Sequence, residues 1–100
     1  MPPRNYQWSR PWELQTPAIQ ITDCLWYVGN LDVSCHVITT TGGAILLDTA
    51  FANTTYLLVD SLRQAGVRPE DVKLLVHSHG HEDHCGGTRR MQALTGAKTL

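Results

Sequence analysis

Between His77 and Gly87 the chain reads His77-Ser78-His79-Gly80-His81-Glu82-Asp83-His84-Cys85-Gly86-Gly87, and four of its five histidines fall in this stretch. At the centre lies an H-x-H-x-D-H pattern made of His79, His81, Asp83 and His84. Imidazole nitrogens and carboxylate oxygens are ligands for first-row metal ions. In extended backbone, residues two apart project to one side, so His79, His81 and Asp83 can converge, while His84 is directed elsewhere unless the chain turns. The spacing divides the donors into two groups, one pair per metal. Two ions about 3.5–4 Å apart could hold a bridging hydroxide and polarise a carbonyl or phosphoryl oxygen. Asp83, a carboxylate beside that water, can orient it and take its proton.

Plainer readings fit less well. A lone H-x-H in a loop is commonly a solvated accident or a tag, but this cluster directly follows an apolar run, Val72 to Val76, interrupted only by Lys73. A purely structural zinc usually rests on cysteine pairs at C-x-x-C spacing, which the sequence lacks. Manganese or iron would accept the same nitrogen and oxygen donors. His77 at the end of the apolar run reads as a packed or solvent-facing residue, and His36 as a satisfied core histidine.

The elements that must carry this cluster can be read from the spacing of apolar residues. Residues 1–18 hold Pro2, Pro3, Pro11 and Pro17 with Tyr6, Trp8 and Trp12, a composition that suits an extended strap, its tryptophans lining a cleft mouth or packing on a sheet. Short strands follow at Ile19–Ile21, Cys24–Val28, Val33–Thr39 and Ala44–Leu47, the last apolar throughout and so expected to be covered on both faces. After Asn53, a good helix N-cap, Leu58, Leu62 and Ala65 define a helical stripe that Leu57 widens and Gly66 stops. Val72–Val76 is a fifth strand. Gly86 and Gly87 let the backbone swing into a short helix over about Gly87–Leu94, with Met91 and Leu94 on one face and its amino terminus toward the cluster. Ala97–Leu100 opens one more strand. The histidine cluster thus sits at the carboxyl end of a strand, where open α/β sheets place their chemistry.

Composition narrows the class. At 100 residues, 42% hydrophobic and 17% charged with a formal net charge of -1, the chain has no electrostatic footprint for nucleic acid and no polybasic membrane patch. No apolar run approaches the roughly 20 residues of a membrane span, and the amino-terminal residues do not read as an export signal. Cys24, Cys35 and Cys85 are then expected to be reduced thiols of a cytoplasmic protein, the first two as small buried side chains. The expected partner is a small-molecule substrate; nothing fixes the oligomeric state.

The segment Leu74 to Gly87 resembles the signature of the metallo-β-lactamase superfamily of metal-dependent hydrolases. Ile45-Leu46-Leu47-Asp48-Thr49 is similar to that family's strand ending in an Asp, Ile19 to Gly29 to its opening hairpin, and Thr95-Gly96-Ala97-Lys98 to the segment after its second helix. Pro17 to Gly29 resembles the B3-like branch. The resemblance implies an α+β fold, the αββα four-layer sandwich, of which residues 19–100 would be the amino-terminal half: a mixed β-sheet with two helices. It implies a pair of zinc ions, with His79 and His81 on the first, Asp83 and His84 on the second, and Asp48 orienting a ligand imidazole while Ser78 bonds within the loop. The implied activity is zinc-dependent hydrolysis, a metal-bound hydroxide attacking a lactam, thioester, lactone or other ester. Absence of an export signal counts against a periplasmic lactamase. Two tetrahedral ions sharing a hydroxide each want about three protein ligands, and the cluster offers two apiece. The expectation is therefore a truncated sequence with little activity alone; the alternative is a non-catalytic fragment that binds metal without the remaining ligands. Turnover by the isolated chain at ordinary rates would refute that expectation.

Overall fold

The computed structural model describes residues 9–78 and 86–100. One six-stranded sheet runs in chain order: β1 (Ile19–Thr22), β2 (Leu25–Tyr27), β3 (His36–Thr40), β4 (Gly43–Leu47), β5 (Val72–Val76) and β6 (Lys98–Thr99). The first four strands pair antiparallel, each with the next. Beyond β4 the sheet turns parallel, because α1 (Thr55–Gln64) connects β4 to β5 and α2 (Thr88–Thr95) lies between β5 and β6. The α+β architecture with a mixed sheet and two helices agrees with the expectation from sequence.

The core lies beneath the helices. Val37, Leu46 and Leu75 stand in register across β3, β4 and β5, and are buried in one cluster with Leu58 and Leu62 of α1 and Met91 of α2. Each such side chain contributes about 1.5–3 kcal/mol by leaving water. A register shift beside Ala44 lets Val72 and Leu75 both reach this core while Lys73 stands exposed. The other face is less covered than the apolar run in β4 implied. Leu25, Ile38, Ile45 and Leu74 form a row across β2 to β5, and all four are half-buried. Among the described residues the helices cover one face only, so β4 alternates between full and partial burial.

Several boundaries moved for local reasons. β3 begins at His36 rather than Val33, because the Asn30 side-chain oxygen accepts hydrogen bonds from the Asp32 and Val33 amides and folds residues 30–33 into a turn. Gly29 is required there: a Cβ would collide with the Val33 carbonyl oxygen and the Cys35 amide nitrogen. Asn53 does not cap α1. Residues Ala52–Thr54 form a turn of 3-10 helix, Thr54 takes the cap position, and the buried Asn53 Oδ1 has no hydrogen-bond partner among the described residues. Leu94 is 52% exposed while Met91 is fully buried, although the two lie only about 60° apart around the helix: Met91 faces the sheet and Leu94 falls at the margin of the buried stripe. Cys35 is buried as expected, but Cys24 is exposed at the β1–β2 turn.

Upstream of β1, Pro11–Leu14 makes one turn of 3-10 helix that buries Leu14. The Leu31 amide donates to the Leu14 carbonyl, the Ala18 amide to Gln64 Oε1, and Gln15 Nε2 to Asp60 Oδ2, so this segment is fastened to α1 and to the β2–β3 loop. Trp12 is 58% exposed; Trp8 lies outside the described residues.

Candidate metal centre

The parallel pairing of β4 and β5 brings their carboxyl ends to one edge of the sheet. Beyond the last β4 residue, the Asp48 amide still donates to the Val76 carbonyl at 2.8 Å, extending the ladder by one step. The chain then bends sharply: Asp48 and Ala50 both adopt left-handed backbone, φ 67° and 57°. Asp tolerates this region better than most side chains; Ala gains nothing from it, so packing must hold the bend. Thr49 between them is fully buried and Ala50 nearly so.

This bend presents the Asp48 carboxylate to the end of β5. Its Oδ1 accepts the Ser78 amide at 2.7 Å and its Oδ2 the Ser78 hydroxyl at 2.8 Å. Charge-assisted hydrogen bonds of this kind are short and strong. Asp48 is 7% exposed. Its charge is also felt on the other side, where the Cys35 thiol is pushed well above its ordinary pKa, first by burial and second by Asp48.

The same bend holds the start of α2. The Gly87 amide donates to the Ala50 carbonyl at 2.9 Å, and a Cβ on Gly87 would sit 2.5 Å from the Thr49 carbonyl oxygen and 3.2 Å from Thr55 Oγ1. Gly87 itself has φ -86°, so glycine is needed here for room and not for an unusual backbone conformation. Thr88, the first residue of α2, places Oγ1 3.1 Å from Thr49 Oγ1 and 2.5 Å from His77 Nε2.

Ser78 and Gly87 are therefore both fastened to residues 48–50, one on each flank of residues 79–85. His79, His81, Asp83 and His84, the predicted metal ligands and catalytic carboxylate, lie outside the described residues, as do Gly80 and Cys85. Among the described residues no group of three or more His, Cys, Asp or Glu side chains forms a metal site. Two described residues with predicted supporting roles, Asp48 and Ser78, meet each other directly. Thr49 and Thr88 were not singled out from sequence. A hydroxyl residue beside the strand-end Asp and another at the helix start were the available signals, but only the fold pairs them. His36 is half-buried with its ring edge-on to Tyr27, centroids 5.4 Å apart.

A family model described as the metallo-beta-lactamase superfamily matches residues 28–100, which includes both the fastened frame and the histidine cluster. The chain belongs to this superfamily. Metallo-beta-lactamase domain-containing protein 1 of Mus musculus is 48% identical over 44 residues, 44% of this chain and 17% of the mouse protein. Among solved metallo-β-lactamases, BJP-1 of Bradyrhizobium japonicum, a subclass B3 protein, is 33% identical with a TM-score of 0.83, over 91% of this chain and 34% of its own. A Cronobacter sakazakii metallo-β-lactamase reaches a TM-score of 0.86 at 27% identity, over 99% of this chain and 35% of its own. The sheet and helices described above are thus the metallo-β-lactamase fold, and the subclass B3 relative agrees with the branch that Pro17 to Gly29 resembles. The chain spans about a third of the length of these solved relatives.

Proposed function

We propose that this chain carries the amino-terminal share of a zinc-dependent hydrolase centre, with His79 and His81 as ligands of one ion and Asp83 and His84 as ligands of a second. The observation that carries the reading is the double fastening of residues 79–85: Ser78 before them and Gly87 after them are both held by the bend at Asp48–Ala50. Three imidazoles and a carboxylate fit zinc, and manganese or iron would suit the same donors. When bound, such ions supply Lewis acidity and make a nucleophile of water at neutral pH.

The chain's own residues do the rest. Asp83 orients the attacking water and holds its proton. Asp48 keeps the end of β5 in place by gripping Ser78, and it orients a ligand imidazole, the kind of outer contact that fixes a tautomer. The positive end of the α2 dipole follows directly after the ligand segment and favours developing negative charge. The substrate is a small molecule with an electrophilic carbonyl, a lactam, thioester, lactone or other ester; the lactam takes its place through the metallo-β-lactamases among the structural relatives. A cytoplasmic setting suits the free thiols of Cys24 and Cys35. No helix among the described residues is long and apolar enough to cross a membrane.

The test is metal analysis of the full-length protein followed by assay against lactams, thioesters, lactones and esters. Asp83→Ala should lower kcat on the responsive class by about 100-fold or more, the range for loss of a proton-transfer group. Full activity in Asp83→Ala would remove the assigned mechanism, and zinc-free protein with full activity would remove the metal.

A further inference from the structure

His77 stands outside the ligand pattern, yet it is not an idle neighbour. Its Nε2 lies 2.5 Å from Thr88 Oγ1, and the same oxygen lies 3.1 Å from Thr49 Oγ1. The three side chains come from three places: the residue after β5, the first residue of α2 and the centre of the strained bend after β4. Thr49 is fully buried and His77 and Thr88 are half-buried, so this link competes less with water than a surface contact would.

Its position in the chain gives it leverage. His77 is two residues before His79, and Thr88 is four residues after His84. A direct hydrogen bond between them closes the base of the segment that carries every proposed ligand. The Asp48–Ser78 and Gly87–Ala50 contacts fasten each flank separately to the bend. The His77–Thr88 bond ties the two flanks to each other directly, and Thr49 ties that bond to the bend. Thr88 Oγ1 has one proton and two lone pairs, so it can serve both neighbours at once. A hydroxyl can donate to Nε2 or accept from it, so the bond exists in either tautomer of the ring.

We propose that His77, acting through Thr88 and Thr49, is a positioning residue: a clasp that fixes the separation of the two ends of residues 79–85 and thereby the affinity of the metal site. Its consequence for metal rests on the function proposed above; its existence does not. Preset ends reduce the ordering that ligands must undergo when an ion binds, which is how contacts behind the ligands raise affinity.

Two readouts test this separately, using the chain with Thr88→Val, which keeps shape but loses the hydroxyl, and Thr88→Ser, which keeps the hydroxyl. In metal-free protein, long-range 15N–1H spectra should show the His77 Nε2 resonance displaced in Thr88→Val relative to the wild type and returned in Thr88→Ser. Identical ring nitrogen shifts in the wild type and Thr88→Val would overturn the clasp, whatever the metal does. In a cobalt titration followed by the d–d absorption bands, Thr88→Val and His77→Leu should bind about tenfold more weakly, the lower end for contacts behind metal ligands. Thr88→Ser should restore the affinity. Equal affinity and equal band shape in the wild type and Thr88→Val would overturn the coupling to metal. Wild-type protein that takes up no cobalt would overturn the metal-site reading and the coupling with it, while the nitrogen spectra still decide the clasp.

Discussion

Asp48 shows how one side chain can be fitted to several demands at once. Its backbone is left-handed at φ 67°, its amide extends the parallel ladder to Val76, and its two carboxylate oxygens hold the amide and hydroxyl of Ser78. Replacement by Ala would mix a backbone penalty with the loss of the carboxylate. Asn tolerates left-handed backbone and nearly matches Asp in shape, but it has one acceptor oxygen where Asp has two. Asp48→Asn should therefore keep the fold and lose about 1.5–3 kcal/mol of stability, the range for a hydrogen bond to a charged group. Cobalt or zinc affinity should fall by about 10–100-fold. Denaturant titration and metal titration check the two parts. Unchanged metal affinity would confine Asp48 to a structural role.

Among the elements, the approach of α2 to the bend after β4 is the tightest constraint near the site. Gly87 starts the helix where a Cβ would lie 2.5 Å from the Thr49 carbonyl oxygen, a backbone atom that cannot rotate away. Gly87→Ala must push α2 from the bend, stretching the Gly87–Ala50 hydrogen bond and the Thr88–Thr49 contact together. Overpacking of this kind costs about 1–3 kcal/mol. We expect a lower melting temperature, with faster hydrogen exchange at the Gly87 and Met91 amides than at those of β4. Exchange that rises equally throughout would mean that the contact is not local. Gly96, by contrast, ends α2 at φ 71° with open space around its Cβ position, so there the demand is conformational.

At the scale of the whole molecule, the buried Cys35 thiol links folding to alkaline pH. Burial, and secondly the Asp48 charge, push its pKa up from 9.0 in the folded chain. A raised folded pKa means that the thiol's contribution is intact below the unfolded value and is lost as pH rises above it, because the unfolded chain releases the proton first. Stability should thus fall from about pH 9 upward. Tyr27, raised by burial from 10.0, acts in the same direction somewhat higher. Denaturation midpoints of Cys35→Ala should start lower, for lost packing, but decline less steeply than wild type between about pH 9 and 10. Parallel slopes for the two proteins would exclude the thiol as the cause.

The sequence by itself pointed to the proposed chemistry and to most of the scaffold. His79, His81, Asp83 and His84 are proposed as a donor set from types and spacing alone, and strand, helix and turn patterns are local properties that ten or fewer residues express. β5 was legible in full because its apolar run is bounded by turn residues, and Gly66 and Gly96 marked helix ends through their own backbone freedom. What the sequence left open depends on partners distant in the chain. Asn30 shortens β3 by a side-chain bond that competes with the ladder, and Thr54 replaces Asn53 at the head of α1 once a 3-10 turn forms. Leu94 is exposed because the sheet covers only the part of that helix face that Met91 occupies. Only the tertiary structure decided that Asp48 grips Ser78 and that His77, Thr88 and Thr49 meet. Those contacts span 30, 11 and 39 residues, and parallel pairing of β4 with β5 is what brings their ends to one edge.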